Sequence, residues 1–553
     1  MQLKKQITFG LMLLLHFVIF AQNSGYKERI AQKVFDRVST AYGSGMNAPF
    51  FQLLPKSASK TQRLVYYPGD KPTVEMGEEV YDLCAKFGKD SLNALAALLG
   101  HELAHHYEKH DWCSSFSYLL GSDNALIKSI NSQDKNGKQR IESEADYYGG
   151  FYGYVAGYNT YAVLPQVLEK LYAENNIPDN IPGYPTKAQR IEIARKKMEE
   201  VRKWVGIFDA GEFLFAIGQF NLAGSCFAFL TQKFPSKEVY NNAGVCYLFR
   251  AKSFLATDDM PFMLPIDFDP NTNLKSSLRS GNINEEQKKD SIRYYADLAI
   301  SYFEKAKRTA PNYFNAQLNM GFADLLLNKN GAALDIALEL MQKDAIKANK
   351  NNLSKAYTLK AIAEWKSKSD EAGNSFSTAH RIDDNSITSL NEENFKKLNK
   401  SLLQDIYDGF WRFFNTEEER KYTGENTANP LLEKIGNKNP KIFVPNANSK
   451  VKNTITPDGI LLNHYEDNNT IDIVINTNTQ QTTFICTQPN YTGKTAKGIG
   501  MGDTVAKVKE QYGQPSETLN ILNGNYYIYK KSKIVFHFNS ADKVVKWFIY
   551  NNF

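Results

Sequence analysis

Cysteine is scarce and unpatterned in this chain. Its 553 residues include five, Cys84, Cys113, Cys226, Cys246 and Cys486, at spacings that match no zinc-finger or zinc-ribbon ligand set. An odd number excludes complete pairing, and no disulfide partner can be read from the spacing. Charge of one sign is also in short supply. Lys and Arg total 66 against 60 Asp and Glu, a net +6, and this small, dispersed excess gives no footprint for nucleic acid. Beyond the first twenty residues there is no long apolar run, so no later segment is expected to span a membrane. The rest is ordinary for globular protein, with 42% hydrophobic and 23% charged residues. The length suggests about three domains, and such a chain can bury several cores without disulfides.

The start carries an address. Lys4 and Lys5 precede an almost uninterrupted apolar stretch from Ile7 to Phe20, and Phe20-Ala21-Gln22 then places a small residue before a polar one. This pattern predicts a secretory signal peptide over 1–21, cleaved after Ala21. A membrane anchor is the alternative, for which the run is short against about 20 residues. The mature protein is expected to be soluble, exported to a periplasm or secreted, with no membrane span.

Helical periodicity marks 26–42, with Ile30, Val34, Phe35 and Val38 on one side. Arg63 to Tyr67 reads as a strand stopped by Pro68-Gly69. A helix follows around Gly77 to Phe87. Another, capped by Asp90 or Ser91, runs to about His110, and a further one starts near Arg140. Over 204–385 small and apolar residues recur at corresponding places: Gly211 with Ala223, Phe227, Leu230 and Pro235, then Tyr240 and Gly244 with Ala299, Phe303, Ala306 and Pro311. Weaker echoes follow at Gly321 and Ala333, and at Ala372, Phe376 and Ala379. Read at about 34 residues per unit, these resemble tetratricopeptide repeats, helical hairpins with small residues where helices cross. Such repeats form concave surfaces that hold partner proteins.

The second repeat is interrupted by a long polar insertion, 252–288, containing the apolar Met260-Pro261-Phe262-Met263-Leu264-Pro265-Ile266. Its prolines predict an extended segment lying against a groove, either covering a binding surface or closing its own repeat's seam. After a mixed stretch over 386–440, the composition shifts at 441–553 to alternating strands around one short helix. There Gly500 to Thr504 reads as a turn and helix cap. This last part resembles the small α+β domains of outer-membrane assembly lipoproteins.

The chemistry sits at His101-Glu102-Leu103-Ala104-His105. On a helix, residues four apart share a face, so both imidazoles can address one metal while Glu102 reaches a water beside it. Two neutral imidazoles and a carboxylate suit zinc, with a fourth position left open. The next acidic helix reads Ile141-Glu142-Ser143-Glu144-Ala145-Asp146. Glu142 is the candidate third ligand. Asp146, on the same face, can fix a ligand histidine's tautomer. Glu144 points elsewhere. His106 and His110 lack the HExxH order and are weighed against a ligand role.

HExxH followed by Glu142-xxx-Asp146 resembles the zinc metallopeptidase family of the CAAX prenyl protease type 1 and the membrane heat-shock protease. That family often adds His-Pro followed by Arg-Ile. Here Tyr184-Pro185 precedes Arg190-Ile191, and Tyr184 replaces the histidine. The resemblance covers about 26–203, and the order of segments is similar to a soluble periplasmic member that carries tetratricopeptide repeats. It implies one Zn2+ per chain and an α+β zincin-like domain over 22–203. Glu102 would be the general base, and Asp146 and Arg190 would support the ligands. The expected fold is multidomain: this domain, all-α repeats over 204–385, a connecting stretch, and the small C-terminal α+β domain. The expected activity is hydrolysis of peptide bonds in unfolded or misassembled exported proteins. The rival expectation is a latent peptidase acting as a chaperone or scaffold.

Overall fold

The computed structural model describes residues 25–56, 65–67, 72–110, 135–175, 179, 185–255, 259–266, 285–399, 433–436, 438–440, 451–455, 460–465, 471–476, 481–487, 491–521, 524–539 and 541–551. The expected signal peptide over 1–21, Cys113, Tyr184 and an apolar helical piece that the sequence suggests around Leu402 to Phe414 lie outside them. The chain divides into two compact units, 1–205 and 206–553. The division falls inside the helix Lys187–Ala216, beside the 203/204 boundary read from the sequence.

The first unit opens with a helix over 25–42 (α1). Its Val34, Phe35 and Val38 are buried, as the periodicity predicts. Strands β1 (Phe50–Leu54), β2 (Val65–Tyr66) and β3 (Thr73–Gly77) form a sheet of order β1-β3-β2. β1 runs parallel to β3, and β2 pairs antiparallel at the edge, where the sequence places a strand. β3 leads directly into α2 (Glu78–Ala85). The central element is α3 (Ser91–Tyr107), in which every residue from Ala94 to His106 is buried. Polar groups in a stretch buried all round call for partners, and this one carries four polar side chains, His101, Glu102, His105 and His106. Around it pack α4 (Lys135–Val155), which begins earlier than the sequence suggests, and α5 (Thr160–Glu174). α6 (Lys187–Ala216) follows.

The second unit contains antiparallel helical hairpins. α6 pairs with α7 (Phe220–Leu230), and a methyl group added at Gly211 would stand 2.8 Å from the Phe227 ring. α8 (Lys237–Lys252) pairs with α9 (Glu285–Thr309), where Gly244 meets Phe303 in the same relation, at 2.5 Å. This repeated small-against-aromatic crossing is the physical content of the sequence repeat. α10 (Phe314–Leu326), α11 (Asn330–Gln342), the short α12 (Asp344–Lys347), α13 (Lys350–Lys366), α14 (Ala372–Ile382) and α15 (Ser386–Leu398) continue the array.

The apolar part of the insertion lies against these last helices. Met260, Phe262, Leu264 and Ile266 are buried. Phe262 stacks on Phe376, with centroids 4.6 Å apart, and meets Trp365 edge-on. Asn391 takes both sides of the Met263 backbone, accepting from its N–H at 2.7 Å and donating to its carbonyl at 2.8 Å. The sequence left open which groove receives this segment. Its anchors are on α13, α14 and α15.

The C-terminal sheet is wholly antiparallel. Its eight strands are β4 (Val451–Ile455), β5 (Ile460–Tyr465), β6 (Ile471–Asn476), β7 (Gln481–Thr487), β8 (Glu517–Ile521), β9 (Gly524–Tyr529), β10 (Ile534–Phe538) and β11 (Val544–Tyr550). Their order is β4-β5-β6-β7-β11-β10-β9-β8. One helix, α16 (Val505–Tyr512), packs on it around Trp547, Tyr529 and Phe536. Thr504 caps α16 by accepting from the Lys507 N–H, the turn-and-cap role expected of this stretch. Ile435, which the sequence reading put in the connecting stretch, is buried in this core. Tyr526 donates to Glu212 and Lys546 pairs with Asp209, joining the sheet to the end of α6. Cys84, Cys226, Cys246 and Cys486 are buried free thiols. Among the described residues, no helix is long and apolar enough to cross a membrane.

One buried carboxyl makes stability depend on pH. Glu238, in the first turn of α8, accepts from the Tyr313 hydroxyl. Burial pushes it up to about 7, against the opposing pull of Lys237 and that hydrogen bond. A raised carboxyl pKa means the folded chain holds the proton more tightly than the unfolded one. Stability is therefore fully present below the ordinary value near 4.5 and is lost as pH rises towards 7. Glu238→Gln keeps an acceptor for Tyr313 and removes the charge. It should raise stability by roughly 1–3 kcal/mol at pH 8 and change little at pH 4.5. Denaturant melts at the two pH values measure this, and equal shifts at both would contradict it.

Candidate metal centre

Three helices supply the site. α3 brings His101, Glu102 and His105, α4 brings Glu142 and Asp146, and the first turn of α6 brings Arg190. The two ligand helices nearly touch at a pair of glycines. A methyl group on Gly149 would stand 2.6 Å from the Gly100 carbonyl and 2.7 Å from the His101 nitrogen. Only hydrogens at both places allow backbones this close. Glu142 lies two turns before Gly149 on the same face, so the contact carries it to His101.

His101, His105 and Glu142 each offer a ligand atom, all within 4.8 Å of one another. His101 Nε2 lies 3.1 Å from His105 Nε2 and 3.4 Å from Glu142 Oε2. Ligands at zinc bond lengths round a tetrahedral ion stand about 3.3–3.5 Å apart, so the two separations made by His101 suit convergence on one ion. His101 turns its other nitrogen to Asp146, Nδ1 to Oδ1 at 2.9 Å. Asp146 in turn accepts two hydrogen bonds from the Arg190 guanidinium, at 2.5 and 2.8 Å. Arg190 Nη2 also lies 3.8 Å from Glu142 Oε2. All these groups are buried.

The charges argue the same way. With both imidazoles neutral, Glu142 and Asp146 face one guanidinium, leaving one buried negative charge, and two once Glu102 ionises. A divalent cation is the complement of that excess. His101 registers the same demand. Burial lowers its pKa, but Asp146 and Glu142 outweigh this and take it up to about 10. Burial would raise Glu142, yet its bond to His101 and the neighbouring cations hold it well below the usual range. His105, with no carboxylate bonded to it, is lowered by burial and then by His101.

Glu102 completes the test of fit. It is 0% exposed, and among the described residues neither carboxylate oxygen has a hydrogen-bond partner. The Tyr67 main chain is near enough to lower its pKa slightly without meeting hydrogen-bond geometry. Burial dominates and pushes it up to about 8. A buried carboxylate with two vacant acceptors beside three converging ligands suits a water held by a metal ion.

Other polar groups on α3 have different partners. His106 bonds to the Asn47 carbonyl at 2.9 Å and the Tyr67 hydroxyl at 3.2 Å, away from the ligand cluster. His110 sits against His105 and touches no other ligand residue at hydrogen-bond distance. The sequence reading missed the Gly100–Gly149 contact. Its signal was there to see: one glycine immediately before HExxH, the other one turn past Asp146.

Compared with family models and with curated proteins, the sequence matches none. Among solved structures, a monomeric mutant of IFIT1 with Gppp-AAAA is similar at 15% identity and a TM-score of 0.29, covering 60% of each chain. A second IFIT1 monomeric mutant, with m7Gppp-AAAA, is similar at 14% identity and a TM-score of 0.29. That match covers 60% of this chain and 68% of the other.

Proposed function

We propose that the first unit is a zinc-dependent metalloendopeptidase that cleaves unfolded or misassembled exported proteins, and that the helical repeats hold protein partners. The observation that carries this reading is the unpartnered Glu102 beside the convergent His101, His105 and Glu142. These three would hold one Zn2+, which when bound would lower the pKa of an adjacent water and polarise the scissile carbonyl. Glu102 takes the proton from the attacking water and returns it to the leaving amine. Asp146 keeps His101 in the tautomer whose Nε2 lone pair faces the ligand cluster, and Arg190 keeps Asp146 ionised and in place. β2 lies at a sheet edge, where an extended substrate could pair by main-chain hydrogen bonds with little regard for sequence.

The test is casein cleavage by the purified chain, with and without a chelator, alongside its zinc content. Cleavage that stops with chelator and returns with zinc is expected. Zinc uptake without any cleavage would favour the latent, chaperone-like protein instead. Glu142→Ala should lower zinc occupancy by about 10-fold or more, and by more than Glu144→Ala, whose carboxylate reaches the cluster only through His110. The reverse ranking would place the third ligand wrongly.

A further inference from the structure

The two ligand histidines are oriented by different devices. His101 donates directly to a carboxylate. Among the described residues, no carboxylate stands at the far nitrogen of His105. Its Nδ1 lies 2.8 Å from His110 Nδ1, and His110 Nε2 lies 3.3 Å from Glu144 Oε2. Arg140 holds the other Glu144 oxygen at 3.0 Å.

The cap of α3 makes this possible. The His110 N–H bonds to the His105 carbonyl at 2.9 Å, and the Lys109 N–H to the His106 carbonyl at 3.3 Å. Lys109 has a φ of 55°, in the left-handed region. This is a Schellman motif, a helix ending that folds the second residue beyond the cap back onto the third from the end. An apolar contact often joins those two positions. Here the pair is His110 and His105, and the contact is between imidazoles, with ring centroids 5.1 Å apart. His110 is 9% exposed.

Proton counting gives the chain a direction. A neutral imidazole has one N–H. If His105 Nε2 is bare to bind a cation, its Nδ1 carries the proton and donates to His110. His110 Nδ1 must then be bare, so its proton sits on Nε2, facing Glu144. Every group in the series has one consistent role, ending on a carboxylate.

We propose that His110, delivered by the α3 cap, is the positioning residue for His105: it fixes that ligand's tautomer and ring orientation, with Glu144 as terminal acceptor. This rests on the metal-centre reading above. Partners of this kind are worth about 10–100-fold in metal affinity where they have been removed.

Zinc and Co2+ titrations of the full chain test it, with melting curves of the metal-free proteins as control. His110→Leu should weaken zinc binding about 10–100-fold and perturb the visible Co2+ spectrum. His110→Asn should recover most of the affinity, because its Oδ1 stands where the imidazole Nδ1 stands and can accept from His105. A merely structural role predicts parallel losses of melting temperature in the metal-free proteins and no such split in affinity. If His110→Leu binds zinc as the wild type does, or if Asn is as weak as Leu, the proposal is overturned. A wild-type chain that takes up no zinc overturns the metal centre itself, which is a separate result.

Discussion

Glu102→Gln should abolish peptide hydrolysis and leave zinc uptake unchanged. The amide is nearly isosteric with the carboxylate, so the packing of α3 stays intact, but it cannot accept the proton of an attacking water. Loss of a general base costs about 10²–10⁴-fold in rate. A second readout separates this role from a structural one. The buried carboxyl is pushed up to about 8, so the metal-free fold holds its proton more tightly than the unfolded chain does. Its ionisation therefore costs stability as pH rises from the ordinary 4.5 to about 8. Glu102→Gln removes that cost. The metal-stripped variant should melt higher than the wild type at pH 8 and about equally at pH 4.5. A gain in stability with loss of activity is what a strained functional group predicts. A variant with near-normal cleavage would remove Glu102 from the mechanism.

What the sequence disclosed about this site follows one rule, the helical period. Four-residue spacing put His101 with His105 and Glu142 with Asp146, and the structure has each pair on a common face. The same period exposed the hairpin crossings at Gly211 and Gly244, because a small residue opposite an aromatic one leaves a trace at both ends. Period says nothing about which helices meet. The approach of α3 to α4 depends on Gly100 and Gly149, and a glycine inside a helix otherwise reads only as a loss of propensity. Period also stops where the helix stops. His110 follows a left-handed residue, so counting along α3 places it on the wrong face, whereas the cap folds it back to His105. In the C-terminal sheet, the alternation expected over 441–553 is carried by strands such as β6, Ile471–Asn476. Strands such as β8, Glu517–Ile521, are short and mixed, and they take their place from their neighbours' hydrogen bonds.

Gly149→Ala should destabilise the first unit, although it adds only one methyl group and improves helix propensity. The added carbon would stand 2.6 Å from the Gly100 carbonyl carbon and oxygen and 2.7 Å from the His101 nitrogen. These are backbone atoms of a helix buried from Ala94 to His106, so nothing nearby can rotate aside. α4 must move away from α3 instead. Overpacking of this kind costs about 1–3 kcal/mol, and more when backbone is displaced. The propensity gain of about 1 kcal/mol offsets only part. The movement acts where Glu142 meets His101 at 3.4 Å and Asp146 meets it at 2.9 Å. A shift of about 1 Å would take both outside working geometry, so zinc affinity should fall by at least about 10-fold together with stability. Gly331→Ala is the control. It lies in α11 with no atom within 4 Å of the added methyl, and should be neutral or stabilising by up to about 1 kcal/mol. Melting temperature and zinc titration on the two variants decide the matter. If Gly149→Ala keeps wild-type zinc affinity, close approach at this glycine pair is not what assembles the ligands.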